Sequence, residues 1–242
     1  MTATKTIALF GAGTGLGMSL AKRFGQEGYR VALVARRPDS LQRFVAKLKQ
    51  QGVEAHAYPA DLTNVAGIPA LIQSIEDHLG SIDMAVFAPA PSDASFVSAA
   101  DLDAAALKSL ASIFAFAPVE VSHAVLQGQL ARGNGAIVIV SGITAALPIS
   151  GMSGPGPLMA AARNYALTLH GEVAAKGVYV ATVSIGAIIE RSTGLRALTS
   201  GGQELDPSLP MIGPDVIADA IWNATKDRTE AEIILPGAPA PH

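Results

Sequence analysis

The chain contains no cysteine. That excludes a disulfide framework, a thiolate zinc site and a thiol nucleophile. Charge is also scarce: Asp, Glu, Lys and Arg make up 15% of the 242 residues, and 17 basic against 20 acidic side chains leave a formal net charge of −3. With no basic excess and no Lys/Arg block, nothing points to nucleic acid or to an anionic membrane surface. One stretch, residues 133–162, carries no charge at all, but it holds Pro148, Pro155, Pro157 and six glycines. A spanning helix needs roughly 20 mostly apolar residues with a satisfiable backbone, so a buried strand followed by an irregular loop is expected there. The first apolar run, Ile7–Phe10, is too short for a secretory signal and turns at once into glycine. A cytoplasmic start is the expectation.

What is present is apolar sequence in abundance. Half of the residues are hydrophobic and the mean hydropathy is +0.36, enough for a substantial core in one domain spanning residues 1–242. Apolar runs of strand length fall at Ile7–Phe10, Val31–Ala35, Glu54–Pro59, Met84–Ala88, Ala136–Ser141, Tyr179–Ile185 and Glu232–Leu235. Most lack polar alternation, as in strands covered on both faces. Helical stretches lie between them: Leu16–Gln26, Ser40–Gln50, Gly67–His78, Leu102–Leu130 with a break expected near Pro118, Leu158–Ala175 and Asp215–Lys226. Strand–helix alternation throughout predicts an α/β fold with a doubly wound parallel sheet of Rossmann type. Residues 189–212, rich in Gly and Pro, are expected to be irregular and to act as a substrate lid. Residues 236–242 are expected to form a loose tail.

The run Phe10-Gly11-Ala12-Gly13-Thr14-Gly15-Leu16-Gly17 joins the first strand to the first helix. There the helix N-terminus offers unpaired N–H groups and partial positive charge, and missing side chains let a pyrophosphate approach. The second strand ends Val34-Ala35-Arg36-Arg37. An NAD site would place an acid at position 35 to accept the ribose hydroxyls. Arginine instead suits a 2′-phosphate, which points to NADP(H).

The Gly-x-x-x-Gly-x-Gly spacing of Gly11, Gly15 and Gly17 resembles that of the short-chain dehydrogenase/reductase family, and the resemblance extends over nearly the whole chain. Asp61-Leu62 resembles the family's adenine-contacting pair, Gly80-Ser81-Ile82-Asp83 its approach to the fourth strand, and residues 136–141 its fifth strand. The resemblance implies a cofactor site of Gly11, Gly13, Thr14, Gly15, Leu16, Gly17, Arg36, Arg37, Asp61, Leu62, Ala88 and Pro89, with no metal.

The family's proton-transfer pair is Tyr-x-x-x-Lys, and this sequence has none. Four residues beyond Tyr29, Tyr58, Tyr165 and Tyr179 stand Leu33, Leu62, Leu169 and Val183. The resemblance of Met159-Ala160-Ala161 to the family's Lys-Ala-Ala places Met159 at the lysine position, Pro155 at the tyrosine position and Gly142 at the serine position. Ser141 would substitute for that serine if a one-residue bulge shifted the strand. The family's Asn falls near Phe114. Thr144, Ser150, Ser153, Thr193 and Glu190 are the remaining polar candidates for the cleft, and Tyr165 should face away from it.

These residues imply an NADP(H)-dependent oxidoreductase of unusual mechanism, moving hydride to a small organic substrate that needs no proton from the enzyme. Two alternatives stand beside it: an inactive NADP(H) sensor or scaffold, and a non-redox isomerase or hydratase with a structural cofactor. The family's helix pairing implies a homodimer or homotetramer built on Leu102–Leu130 and Leu158–Ala175, which are apolar on more than one face.

Overall fold

The computed structural model describes residues 4–91, 95–200 and 205–237. The chain begins with strand β1 (Thr6–Phe10), helix α1 (Leu16–Gln26), β2 (Arg30–Ala35), α2 (Pro38–Gln50), β3 (Ala55–Pro59), α3 (Ile68–Leu79) and β4 (Ile82–Phe87). There follow α4 (Ala104–Ala111), α5 (Ala117–Arg132), β5 (Gly135–Gly142), α6 (Gly156–Val173) and β6 (Val178–Ile185). Two short strands, β7 (Ile188–Ile189) and β8 (Met211–Ile212), flank α7 (Thr193–Thr199), and α8 (Pro214–Asp227) leads to β9 (Glu232–Leu235).

Seven strands form one parallel sheet in the order β3-β2-β1-β4-β5-β6-β9. The order reverses at β1, which pairs with β2 on one side and β4 on the other. In such sheets ligands bind beyond the carboxyl ends of the strands at that switch point. Continuous apolar runs form the strands because both sheet faces are covered. Leu20, Phe24, Ile217 and Ile221 pack on one face with Leu9, Leu33 and Val183. Ile72, Ile75, Val121, Val125 and Ala166 pack on the other with Phe10, Val34 and Ile139. At the α1–α8 contact the Phe24 ring meets Tyr29 and Trp222 edge-on, at centroid distances of 5.4 and 5.1 Å. Arg163 of α6 holds the edge strand through two bonds to Glu232, at 2.5 and 2.6 Å.

One sequence expectation is sharpened by the structure and one needs correction. The break in the long fourth helix lies at residues 112–116, ahead of Pro118, as a π-helical segment between α4 and α5. Pro118 has no N–H to give the Phe114 carbonyl, and the Ala117 N–H bonds back five residues to the Ser112 carbonyl. Residues 189–212 are not irregular throughout. Ser192 caps α7 by accepting the Leu195 N–H at 2.9 Å, and β7 pairs with β8 in parallel. Residues 201–204 of that stretch, and 238–242 of the expected tail, lie outside the described residues.

By length and composition the continuous helical stretch Ala104–Arg132 is apolar enough to cross a membrane. Its α5 portion buries Ala117, Val121, Val125 and Leu126 within the second core.

Candidate functional site

The glycine loop is built by close approach. The Gly11 and Ala12 N–H groups both bond to the Val34 carbonyl, at 3.0 and 2.9 Å, and the Ala88 N–H bonds to the Phe10 carbonyl at 2.8 Å. A Cβ on Gly11 would stand 2.5 Å from the Pro89 Cα, and the backbone there has φ +98°, so the position admits only glycine. A Cβ on Gly17 would stand 2.9 Å from the Ala12 Cα. These contacts bring Gly11, Ala12, Gly17, Ala88 and Pro89 together at the switch point.

Gly13 differs. A Cβ there would meet nothing closer than the Gly11 carbonyl oxygen at 4.0 Å. Packing does not require this glycine, and the space before it is what a side chain would fill. It adjoins the start of α1, whose N-cap Gly15 supplies no side-chain cap. The first-turn N–H groups of a helix have no partner within the helix, so Leu16 and Gly17 present theirs with the positive end of the helix dipole. This cradle fits a pyrophosphate.

Arg36 and Arg37 are exposed at the end of β2. The Asp61 carboxylate accepts the Thr63 N–H at 3.0 Å and the Thr63 hydroxyl at 2.8 Å. These bonds, with Arg36 adding positive charge, hold the Asp61 carboxyl below its usual range. Arg36, Asp61 and Leu62 are thus neighbours beyond β2 and β3. A cavity of about 260 Å³ adjoins them, lined by Asp61, Leu62, Asn64 and Ile68 among others. A larger one of about 320 Å³ lies at the other end of the sheet, between Lys5, Tyr29, Asp83 and Trp222.

Across the crevice, β5 runs without a register shift through Gly142, which pairs with Ile185 as Ser141 pairs with Ser184. The bulge that would carry Ser141 into the serine position is therefore not formed. A Cβ on Gly142 would meet only the Met159 Cε, at 3.6 Å. Met159 is buried, and its N–H bonds to the Pro155 carbonyl at 2.9 Å. The structure so brings Gly142, Pro155 and Met159 together, and none of the three has a side-chain proton donor.

Tyr165 packs in the second core and is pushed up chiefly by burial. Tyr179 donates to the Glu230 carbonyl at 2.6 Å and is pushed up to about 12, chiefly by burial. Tyr29 and Tyr58 are also raised, with burial the main cause. His170 bonds to the Val180 carbonyl at 2.7 Å. Thr144 is buried with its hydroxyl unpartnered, against Gly156 at the start of α6. Phe114 lies in the π-helical segment, a local geometry frequent at functional sites. Among the described residues no group of three His, Asp or Glu side chains is placed to hold a metal.

Sequence reasoning expected a lid in the segment after β7 but missed its contact with the glycine loop. The Thr14 hydroxyl donates to the Arg191 carbonyl at 2.8 Å and accepts from Arg196 at 2.5 Å. A Cβ on Gly15 would stand 3.1 Å from the Ser192 Cα and 3.3 Å from the Glu190 carbonyl oxygen. The segment thus lies directly on the glycine loop.

A family model described as short chain dehydrogenase matches residues 5–197. Among curated proteins, 2-(S)-hydroxypropyl-CoM dehydrogenase 3 of Xanthobacter autotrophicus is 30% identical over 196 residues, 81% of this chain and 76% of that protein. Among solved structures, L-sorbose reductase from Gluconobacter frateurii, complexed with NADPH and L-sorbose, superposes with a TM-score of 0.84 at 22% identity, covering 97% of this chain and 95% of that one. A short chain oxidoreductase from Pseudomonas aeruginosa, described as containing an atypical catalytic center, gives a TM-score of 0.85 at 21% identity over 98% of both chains.

Proposed function

The chain belongs to the short chain dehydrogenase family, and from that premise we propose that it binds NADP(H) and reduces or oxidises a small organic substrate without a tyrosine–lysine acid pair. The observation that carries the proposal is the contrast across one crevice. The pyrophosphate cradle at Gly13 is complete, while Gly142, Pro155 and Met159 offer nothing that transfers a proton. NADP-bound and NADPH-bound structures among the fold neighbours support the choice of cofactor, as do Arg36 and Arg37 where an acid would favour NAD.

Bound there, NADPH supplies a hydride. The chain's own part is to orient and to exclude water. Leu16 and Gly17 would hold the pyrophosphate through their N–H groups, Arg36 and Arg37 would hold the 2′-phosphate, Asp61 and Leu62 would flank the adenine, and Ala88 and Pro89 would border the crevice. Losing the general acid forfeits typically ~10²–10⁴-fold in rate, whereas orientation alone supplies up to ~7–11 kcal/mol of the barrier. The balance favours substrates that already carry positive charge or conjugation, such as iminium ions and activated alkenes. The test is calorimetric titration with NADPH and NADH, followed by the loss of NADPH near-ultraviolet absorbance with ketones, cyclic imines and activated alkenes. Tight NADPH binding with turnover confined to the last two classes supports the proposal; silence across all three would favour a sensor or scaffold.

The same reading includes self-association. α4 buries none of its residues within the chain, and Phe116 is 58% exposed. We read this apolar helix, with α6, as the face of a symmetric homodimer or a dimer of dimers.

A further inference from the structure

Among the described residues Arg196 is a cation without a partner of opposite charge. Its neighbour Arg191 is neutralised: it pairs with Asp215 at 2.6 Å, and Asp215 also accepts from Ser19 of α1. Arg196 pairs with no carboxylate among the described residues, and its one side-chain bond there is to the Thr14 hydroxyl at 2.5 Å. That hydroxyl has its proton committed to the Arg191 carbonyl, so it meets Arg196 with a lone pair, and the guanidinium is held over the loop that runs from Gly13 to Gly15. A guanidinium has five N–H donors in a planar fork, and a single hydroxyl uses one of them.

The segment is anchored for this placement. Arg191 sits at φ +60°, a conformation that non-glycine residues seldom adopt, and its ion pair with Asp215 ties it to the start of α8. Ser192 then starts α7, and Arg196 lies one turn on, its N–H bonded to the Ser192 carbonyl. The arrangement brings a positive charge, uncompensated among the described residues, to the place where the α1 N-terminus already favours an anion.

We propose that Arg196 is a pyrophosphate ligand of the cofactor, delivered by α7 across the glycine loop. The proposal rests on the NADP(H) reading above and adds to it a cofactor contact 182 positions away from Thr14 of the loop it serves. The guanidinium matches phosphate oxygens in a bidentate fork, and Thr14 sets its direction.

The experiment is a binding titration of wild type, Arg196→Ala and Arg196→Lys with two probes: NADPH, and 2′-AMP, which carries the 2′-phosphate but no pyrophosphate. Arg196→Ala is expected to weaken NADPH by about 10–150-fold, the worth of one charge-assisted hydrogen bond, and to leave 2′-AMP unchanged. Arg196→Lys should recover part of the loss, because the charge returns without the fork. Melting temperatures of the three proteins, unchanged for this surface position, separate binding from folding. Unaltered NADPH affinity in Arg196→Ala, or equal losses for both probes, overturns the role of Arg196 alone. A wild type that binds NADPH no better than NADH, or binds neither, overturns the NADP(H) reading itself.

Discussion

A Cβ placed on Gly142 would find the Met159 Cε at 3.6 Å and no other atom within 4 Å. Gly142 and Met159, which the family resemblance would put at its serine and lysine positions, thus face each other, and a side chain added at Gly142 would meet a thioether methyl.

Gly142→Ser should accordingly fold at least as well as wild type. Glycine within a strand costs about 0.5–1 kcal/mol relative to a residue with a Cβ, and 3.6 Å is an ordinary contact. Gly11→Ala should behave oppositely. Its Cβ would stand 2.5 Å from Pro89 backbone atoms at φ +98°, and positive φ together with overpacking costs about 2–5 kcal/mol. Urea unfolding of the two variants measures both; a destabilised Gly142→Ser or an unaffected Gly11→Ala would contradict this frame.

Arg36→Ala should lower NADPH affinity about 10–150-fold while leaving NADH affinity unchanged, since only NADPH offers a 2′-phosphate to the guanidinium. Calorimetry with both cofactors decides. Parallel losses would mean that Arg36 acts through Asp61, whose carboxyl it helps to hold down.

The segment over the glycine loop should loosen in acid. Hydrogen bonds from Ser19 and then Arg191 hold the Asp215 carboxyl below its usual range. A folded-state value below the unfolded one gives stabilisation that is complete above the unfolded value of about 4 and lost as pH falls through the folded one. Hydrogen exchange at residues 189–200 should therefore rise only in acid in wild type, and at neutral pH in Asp215→Asn. Equal exchange in both proteins at neutral pH would show that the Asp215 charge does not hold the segment.

Much of this was legible in the sequence because each signal was local. Apolar runs gave every strand of the main sheet to within two residues, and Gly11, Gly15 and Gly17 marked the switch point because close packing there tolerates no Cβ. Gly142, Pro155 and Met159 came from the resemblance of Met159-Ala160-Ala161 to the family's Lys-Ala-Ala; Met159 lies one helical turn beyond Pro155 and its Cε faces Gly142. The break expected near Pro118 falls just ahead of it, at residues 112–116, because a proline disturbs the carbonyl four residues before it. α7 was missed because Gly194 and the surrounding Gly and Pro residues outweighed Ser192, whose capping of the Leu195 N–H was the available signal. The bond from Arg196 to Thr14 spans 182 positions and depends on the way β7 returns to the loop; no local pattern encodes it.

Arg163→Ala should destabilise the fold by about 1–3 kcal/mol, the range for charge-assisted bonds. The guanidinium grips Glu232 at two atoms, and both side chains are only about a quarter exposed, at 28% and 26%. Denaturant unfolding would show it. No loss would mean that β9 is held by its ladder to β6 alone.

The central claim is hydride chemistry without an enzymic proton donor, and one measurement addresses it most directly. NADPH carrying deuterium at the transferred position is incubated with the protein and a matched pair of substrates, a preformed cyclic iminium and the corresponding ketone, and the products are weighed by mass spectrometry. The account predicts one deuterium in the amine and no labelled alcohol. Labelled alcohol formed at the ordinary enzyme rate of ~1–10³ s⁻¹ would contradict it, because a working acid would then have to stand beside Gly142, Pro155 and Met159.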